Sequence, residues 1–244
     1  MMQRYRLPGA LVLALFGYWQ PWLALPAGAL QLNAYELSEW VEFLPGVFTG
    51  ALPFDRLTFL VPCACLTVLF GLAAARVRRT APRDWLSALL PDSALGWALL
   101  TLAGLSVAAV FPYYPYILSA YADPEFQAQF FLACIALLAV PLALLLPDEV
   151  AGFVQIALAA TGLGFSVWAW WALWPVASEL MRVTWPPGWG WFITLLGFGL
   201  AAVEGWQRLL TPRIPFDFQG KRREGGLPSR EHEHIGVHPR RFGH

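Results

Sequence analysis

Charge is scarce in this chain. Charged residues make up 13% of its 244 positions, against roughly 25% in a soluble domain. Histidine is missing from every long apolar run, since His232, His234, His238 and His244 all lie near the end of the sequence. Histidine-ligated haem or chlorophyll inside a membrane is thereby excluded, and so is a serine protease acting within the bilayer. The cysteines, Cys63, Cys65 and Cys134, are odd in number and sit in apolar runs, which argues against a disulfide framework. There is no phosphate-binding glycine loop, no zinc-protease motif and no CxxC pair. Basic and acidic residues number 16 each, so net charge points to no partner and no nucleic acid is expected.

What the chain has is apolar length. Its mean hydropathy is +0.53, and several runs approach the roughly 20 residues that cross a bilayer. The pattern predicts an all-α, polytopic membrane protein with six transmembrane helices at about 8–25, 57–75, 93–111, 129–146, 151–173 and 189–209. No small-residue cleavage site follows the first run promptly, so it reads as a retained span rather than a signal peptide. Basic residues orient the spans. With both termini cytoplasmic, all basic residues but Arg56 and Arg182 fall on the inner side. A prokaryotic plasma membrane is the expected location.

An internal echo suggests how the spans are grouped. Leu89–Trp97 reads LLPDSALGW and Leu145–Phe153 reads LLPDEVAGF, each ahead of a long apolar run. A fainter version, Leu7-Pro8-Gly9, opens the first run. Proline in a first turn costs no hydrogen bond, and aspartate there caps free N–H groups, so Asp92 and Asp148 read as helix starts rather than catalytic acids. The odd-numbered spans end in aromatics and proline, at Tyr18–Trp22, Phe111–Tyr116 and Trp174-Pro175. Three helical hairpins of related design are expected.

Between the first two spans, Leu37, Trp40, Val41 and Leu44 recur at helical spacing, with Glu36, Glu39 and Glu42 on another face. That predicts an amphipathic helix at about 33–45 lying on the outer membrane surface, with Trp40 down and the carboxylates up. Asn33 and Glu36 form its capping pair. Residues 1–210 make one membrane domain. Residues 211–244, rich in Pro, Gly and charge, read as a cytoplasmic tail that is disordered unless a partner holds it.

Glu204 is the ionisable residue nearest membrane depth, with Arg208 four residues on as its natural partner. The sharper alternative is a proton or cation site there. No second deep charge is evident to pair with Glu204 across helices. Arg76, Arg78 and Arg79 suit anionic lipid head groups as well as topology. Glu36, Glu39 and Glu42, with Asp55, Asp123, Glu125 and Glu179, give the outer side an acidic face able to dock a basic partner. Gly104 with Ala108, and Gly197, Ala201 and Gly205, lie at four-residue spacing suited to close helix packing. The 13 tryptophans invite lipid, carotenoid or quinone contact, but no cofactor, metal ligand set or catalytic residue is predicted. The expected role is a non-catalytic integral subunit of a larger membrane assembly, energy-transducing or electron-transferring, with other membrane subunits and a cytoplasmic partner for the tail. In gross form (length, six spans, both ends inside) the chain is also similar to ABC-2 permeases. It departs from them in its long first outer loop and its lack of an amphipathic lead-in.

Overall fold

The computed structural model describes residues 5–24, 31–78, 87, 89–182 and 186–210. Arg79, Arg83 and the tail at 211–244 lie outside the described residues. The chain is mostly helical. Its long helices are α1 (Arg6–Tyr18), α4 (Arg56–Arg76), α5 (Ala94–Val110), α6 (Gln127–Leu145), α7 (Asp148–Met181) and α8 (Trp189–Leu210). Of the apolar ones, Arg56–Arg76, Gln127–Leu145 and Val150–Leu180 are long and apolar enough to cross a membrane, while α1 and α5 are shorter.

Local chemistry sets several boundaries. The Asp55 side chain accepts from the Thr58 N–H at 3.2 Å and starts α4. Ser93 caps α5 by accepting from the Gly96 N–H at 3.2 Å. The cap is therefore Ser93, one residue beyond the expected Asp92. Asp148 is the first residue of α7, behind Pro147. The two LLPD copies start their helices at different offsets, and their glycines do different jobs. A Cβ on Gly96 would meet Pro91 at 2.8 Å, whereas one on Gly152 would meet Leu209 of α8 at 2.9 Å.

Two expected boundaries move. The first run leaves the helix after Tyr18, because Pro21 has no N–H to give and disfavours helix at Gln20. Leu23–Ala24 then pairs with Gln31–Leu32 as a two-residue antiparallel ladder, β1 and β2. Conversely, α7 runs through Pro175 instead of stopping there and ends only where Arg182 turns left-handed, at φ 53°. Apolar helices carry proline inside them when neighbouring groups satisfy the freed carbonyl.

Packing is organised around α4, which is buried along most of its length and touches α1, α5, α6 and α7. The main neighbour of α1 is α8 rather than α4, and α8 packs on α7 as well. Small residues bring α1 and α8 together. A Cβ on Gly197 would lie 2.4 Å from the Ala14 backbone, and one on Gly17 would lie 2.5 Å from that of Thr194. Arg6 meets Gln207, so the two helices run antiparallel over their length. Ala201 is fully buried in this seam, and Gly205 is covered by Ile156 and Gln155. Gly104 and Ala108 instead face outward from α5, and a Cβ on Gly104 would meet nothing within 4 Å.

The predicted amphipathic segment is a shorter helix, α2 (Ala34–Trp40), continued by a 3-10 turn at Val41–Phe43 and then α3 (Pro45–Phe48). Asn33 and Glu36 form the capping box. Its apolar face does not rest on lipid, because Leu37, Val41 and Leu44 are buried with Tyr18, Trp22, Phe54 and Phe59. Trp40 packs partly buried on the same cluster. The protein itself covers the stripe that the sequence assigned to a membrane surface.

Candidate functional site

Ionisable side chains gather at the two ends of α4. Arg56 and Arg76 are its first and last residues, 20 residues apart, or about 30 Å along the axis. That distance matches the hydrocarbon thickness of a bilayer.

At the first end, Arg56 is 6% exposed, with Glu39 at 3.6 Å and Glu42 at 3.7 Å. Its backbone N–H also donates to Glu42 Oε1 at 3.3 Å. One guanidinium nitrogen donates to Gln129 Oε1 at 3.1 Å, and the Gln129 amide donates to the Val110 carbonyl at 2.9 Å. Gln129 thus joins α4 to the last turn of α5, where helix carbonyls lack partners. The Arg56 guanidinium lies 4.8 Å from the centre of the Phe126 ring, a cation–π contact. Burial pushes the Glu39 carboxyl above the usual carboxylate range. Arg56 opposes that shift, while Glu42 and Glu125 add to it. Burial likewise raises the Tyr35 phenol.

At the other end, Glu204 of α8 is 8% exposed and faces two arginines. Arg76 lies 3.4 Å from one of its oxygens, and Arg208 contacts the other. Gln155 of α7 donates to Glu204 at 2.7 Å and to the Ala201 carbonyl at 2.5 Å, while its own oxygen accepts from Arg76. The second deep charge that the sequence did not reveal is therefore Arg76, reaching across from α4. The carboxylate is thus held from three directions, by two guanidinium groups and an amide. This arrangement suits a lock better than a proton carrier.

The remaining sequence-selected residues fall around these clusters. Glu36 is exposed and spent on the capping box, while Glu39 and Glu42 turn toward Arg56 rather than up into solvent. Arg78 follows α4, half-buried. Gln129 and Gln155 were missed by reading for charge and spacing. The available signal was an amide within an apolar turn, costly unless bonded. Between the clusters, Thr67, Ser166 and Thr194 bond back to carbonyls of their own helices, at Cys63, Gly162 and Gly190. Among the described residues no three His, Cys, Asp or Glu side chains converge as a metal site. No protein-family model, curated protein or solved structure matches the chain.

Proposed function

We propose that this chain is a non-catalytic integral subunit of a larger membrane assembly. In this reading all six long helices cross a plasma membrane, with both termini cytoplasmic. The observation that carries it is the placing of the buried ionisable groups. Among the described residues they form two mutually paired clusters about one bilayer thickness apart, and the buried polar side chains between them are uncharged, among them the Thr67, Ser106, Ser166 and Thr194 hydroxyls, the Tyr18 phenol on the Phe59 carbonyl and the Cys63 and Cys65 thiols. Such an interior gives rigidity and offers no ladder of charges for a transported ion.

The directions of the helices support six crossings. Contacts between Arg56 and Gln129, Arg76 and Gln155, and Arg6 and Gln207 fit helices that alternate in direction. Arg6, Arg76, Arg78 and Arg208 then share one end, the cytoplasmic one under the positive-inside rule. Although α1 is helical for only about 20 Å, the chain continues extended along α8. There the Pro21 and Trp22 carbonyls accept from the Gly190 and Gly188 N–H groups at 3.1 and 2.7 Å. The backbone thus stays bonded where a bare extended strand in lipid would not.

The outward faces support a place among lipids and other subunits. Ile135, Leu138, Phe153, Trp171, Leu196 and Trp206 are all well exposed. Solubilisation in a mild detergent followed by native gel electrophoresis and identification of co-migrating proteins tests the proposal. The expected result is a stoichiometric complex with further membrane subunits. A lone monodisperse monomer would overturn it, and a co-purifying ATPase would replace it with the permease reading.

A further inference from the structure

The connection between α5 and α6, residues 111–126, carries a large exposed aromatic surface at the Arg56 end. Tyr114 is 79% exposed, Leu118 70% and Tyr121 60%. Left in water, such a surface would be an unusual feature of a loop. Its base is a packed aromatic cluster. Tyr113 and Tyr116 meet edge to face with ring centres 5.0 Å apart, Tyr116 lies 5.1 Å from Phe126, and the Arg56 guanidinium lies 4.8 Å from the centre of the Phe126 ring.

The backbone of the loop is largely satisfied from within. The N–H groups of Ile117, Leu118, Ser119 and Ala120 donate to carbonyls of Tyr113, Pro115 and Tyr116. Those of Ala122, Asp123 and Phe126 bond to Ser119 and Asp123, and the Gln127 amide takes the Tyr121 carbonyl at 3.1 Å. Three of the remaining positions, Pro112, Pro115 and Pro124, have no N–H at all. A segment that bonds its own backbone can leave bulk water at low cost. Tyrosine, apolar in the ring and polar at the tip, is the side chain enriched at membrane interfaces.

We propose that this loop is a foot seated in the headgroup layer of the outer leaflet, where it takes zwitterionic phospholipid. The inference rests on the membrane orientation given above. Charge selects the lipid. The loop holds no lysine or arginine and carries Asp123 and Glu125, so an anionic surface is repelled. The ammonium of a choline or ethanolamine headgroup is matched by tyrosine faces and nearby carboxylates. The foot is continuous with apolar outer surface, because α5 and α6, which the loop joins, are exposed at Leu105, Ile135 and Leu138.

The test uses the full chain in phosphatidylcholine vesicles, with Cys134→Ser and the buried Cys63 and Cys65 left in place. A nitroxide is attached at Leu118→Cys, with controls at Ile135→Cys on α6 and Glu36→Cys on α2. Accessibility to oxygen, which partitions into lipid, is compared with accessibility to a water-soluble nickel chelate. The expected oxygen-to-nickel ratio at Leu118 is several-fold above that at Glu36 and below that at Ile135. Phosphatidylglycerol vesicles should lower the ratio at Leu118 and leave Ile135 unchanged. A water-like ratio at Leu118 with a lipid-like one at Ile135 would overturn the foot and leave the membrane reading standing. Water-like ratios at both would overturn the membrane reading too. A label at Leu118 shielded from both reagents would assign the surface to a protein neighbour and overturn the lipid assignment. An unchanged ratio in phosphatidylglycerol would overturn the headgroup preference.

Discussion

Gln129 and Gln155 do the same work at opposite ends of α4. Each accepts from a terminal arginine of that helix, Arg56 or Arg76, and donates to a backbone carbonyl of another helix, Val110 or Ala201. Replacing either by leucine keeps the volume and strands an arginine N–H; Gln129→Leu also strands the Val110 carbonyl at the end of α5, and Gln155→Leu takes a donor from Glu204. Each substitution should lower stability by about 1–3 kcal/mol. Thermal unfolding in detergent of Gln129→Leu and Gln155→Leu measures it; no change in either would remove the bridging role.

Glu204 is the counter-charge that lets Arg76 stay buried. Glu204→Ala takes from Arg76 the carboxylate it contacts, and a loss of about 3–5 kcal/mol is expected for breaking a buried pair. Arg76→Met combined with Glu204→Met should recover much of that loss, since an apolar pair escapes the desolvation cost. A double mutant as unstable as Glu204→Ala would show that the pair is not the source of the effect.

The α1–α8 seam predicts a contrast between two glycines. Gly197→Ala drives a methyl to within 2.4 Å of the Ala14 backbone and should cost about 1–3 kcal/mol. Gly104→Ala meets nothing within 4 Å in this chain and should be neutral, or stabilising by up to about 1 kcal/mol through helix propensity. Equal effects at the two positions would contradict the packing.

Acid should tighten the contribution of Glu39. Its folded carboxyl titrates above the unfolded value of 4.5, so the protonated form is favoured by folding. The stability it contributes is full below pH 4.5 and declines as pH rises through the raised value. Glu39→Gln should flatten the pH dependence of unfolding just above pH 4.5, and an unaltered profile would assign that dependence elsewhere.

Local chemistry was legible in the sequence, and long-range partnership was not. The Asn33–Glu36 cap, the start of α4 and the Glu204–Arg208 contact each depend on residues within a turn of one another. Arg76 and Glu204 are 128 residues apart, and no helical period links them. Hydropathy gave the length of the first run but not its break at Pro21, because apolar residues serve an extended strand as well as a helix. Small-residue spacing selected Gly197 and Gly104 alike. Only the position of α1 distinguishes a seam from an outward face.

The two arginines bracketing α4 also order events during synthesis. Glu39 and Glu42 precede Arg56 on the chain, whereas Gln155 and Glu204 follow Arg76 by 79 and 128 residues, so the first end of α4 meets its carboxylates at once and the last end waits for α8. A chain truncated after Met181 would keep every helix long and apolar enough to cross a membrane yet present Arg76 without Glu204. The last helix is therefore the one whose arrival completes the Arg76 cluster.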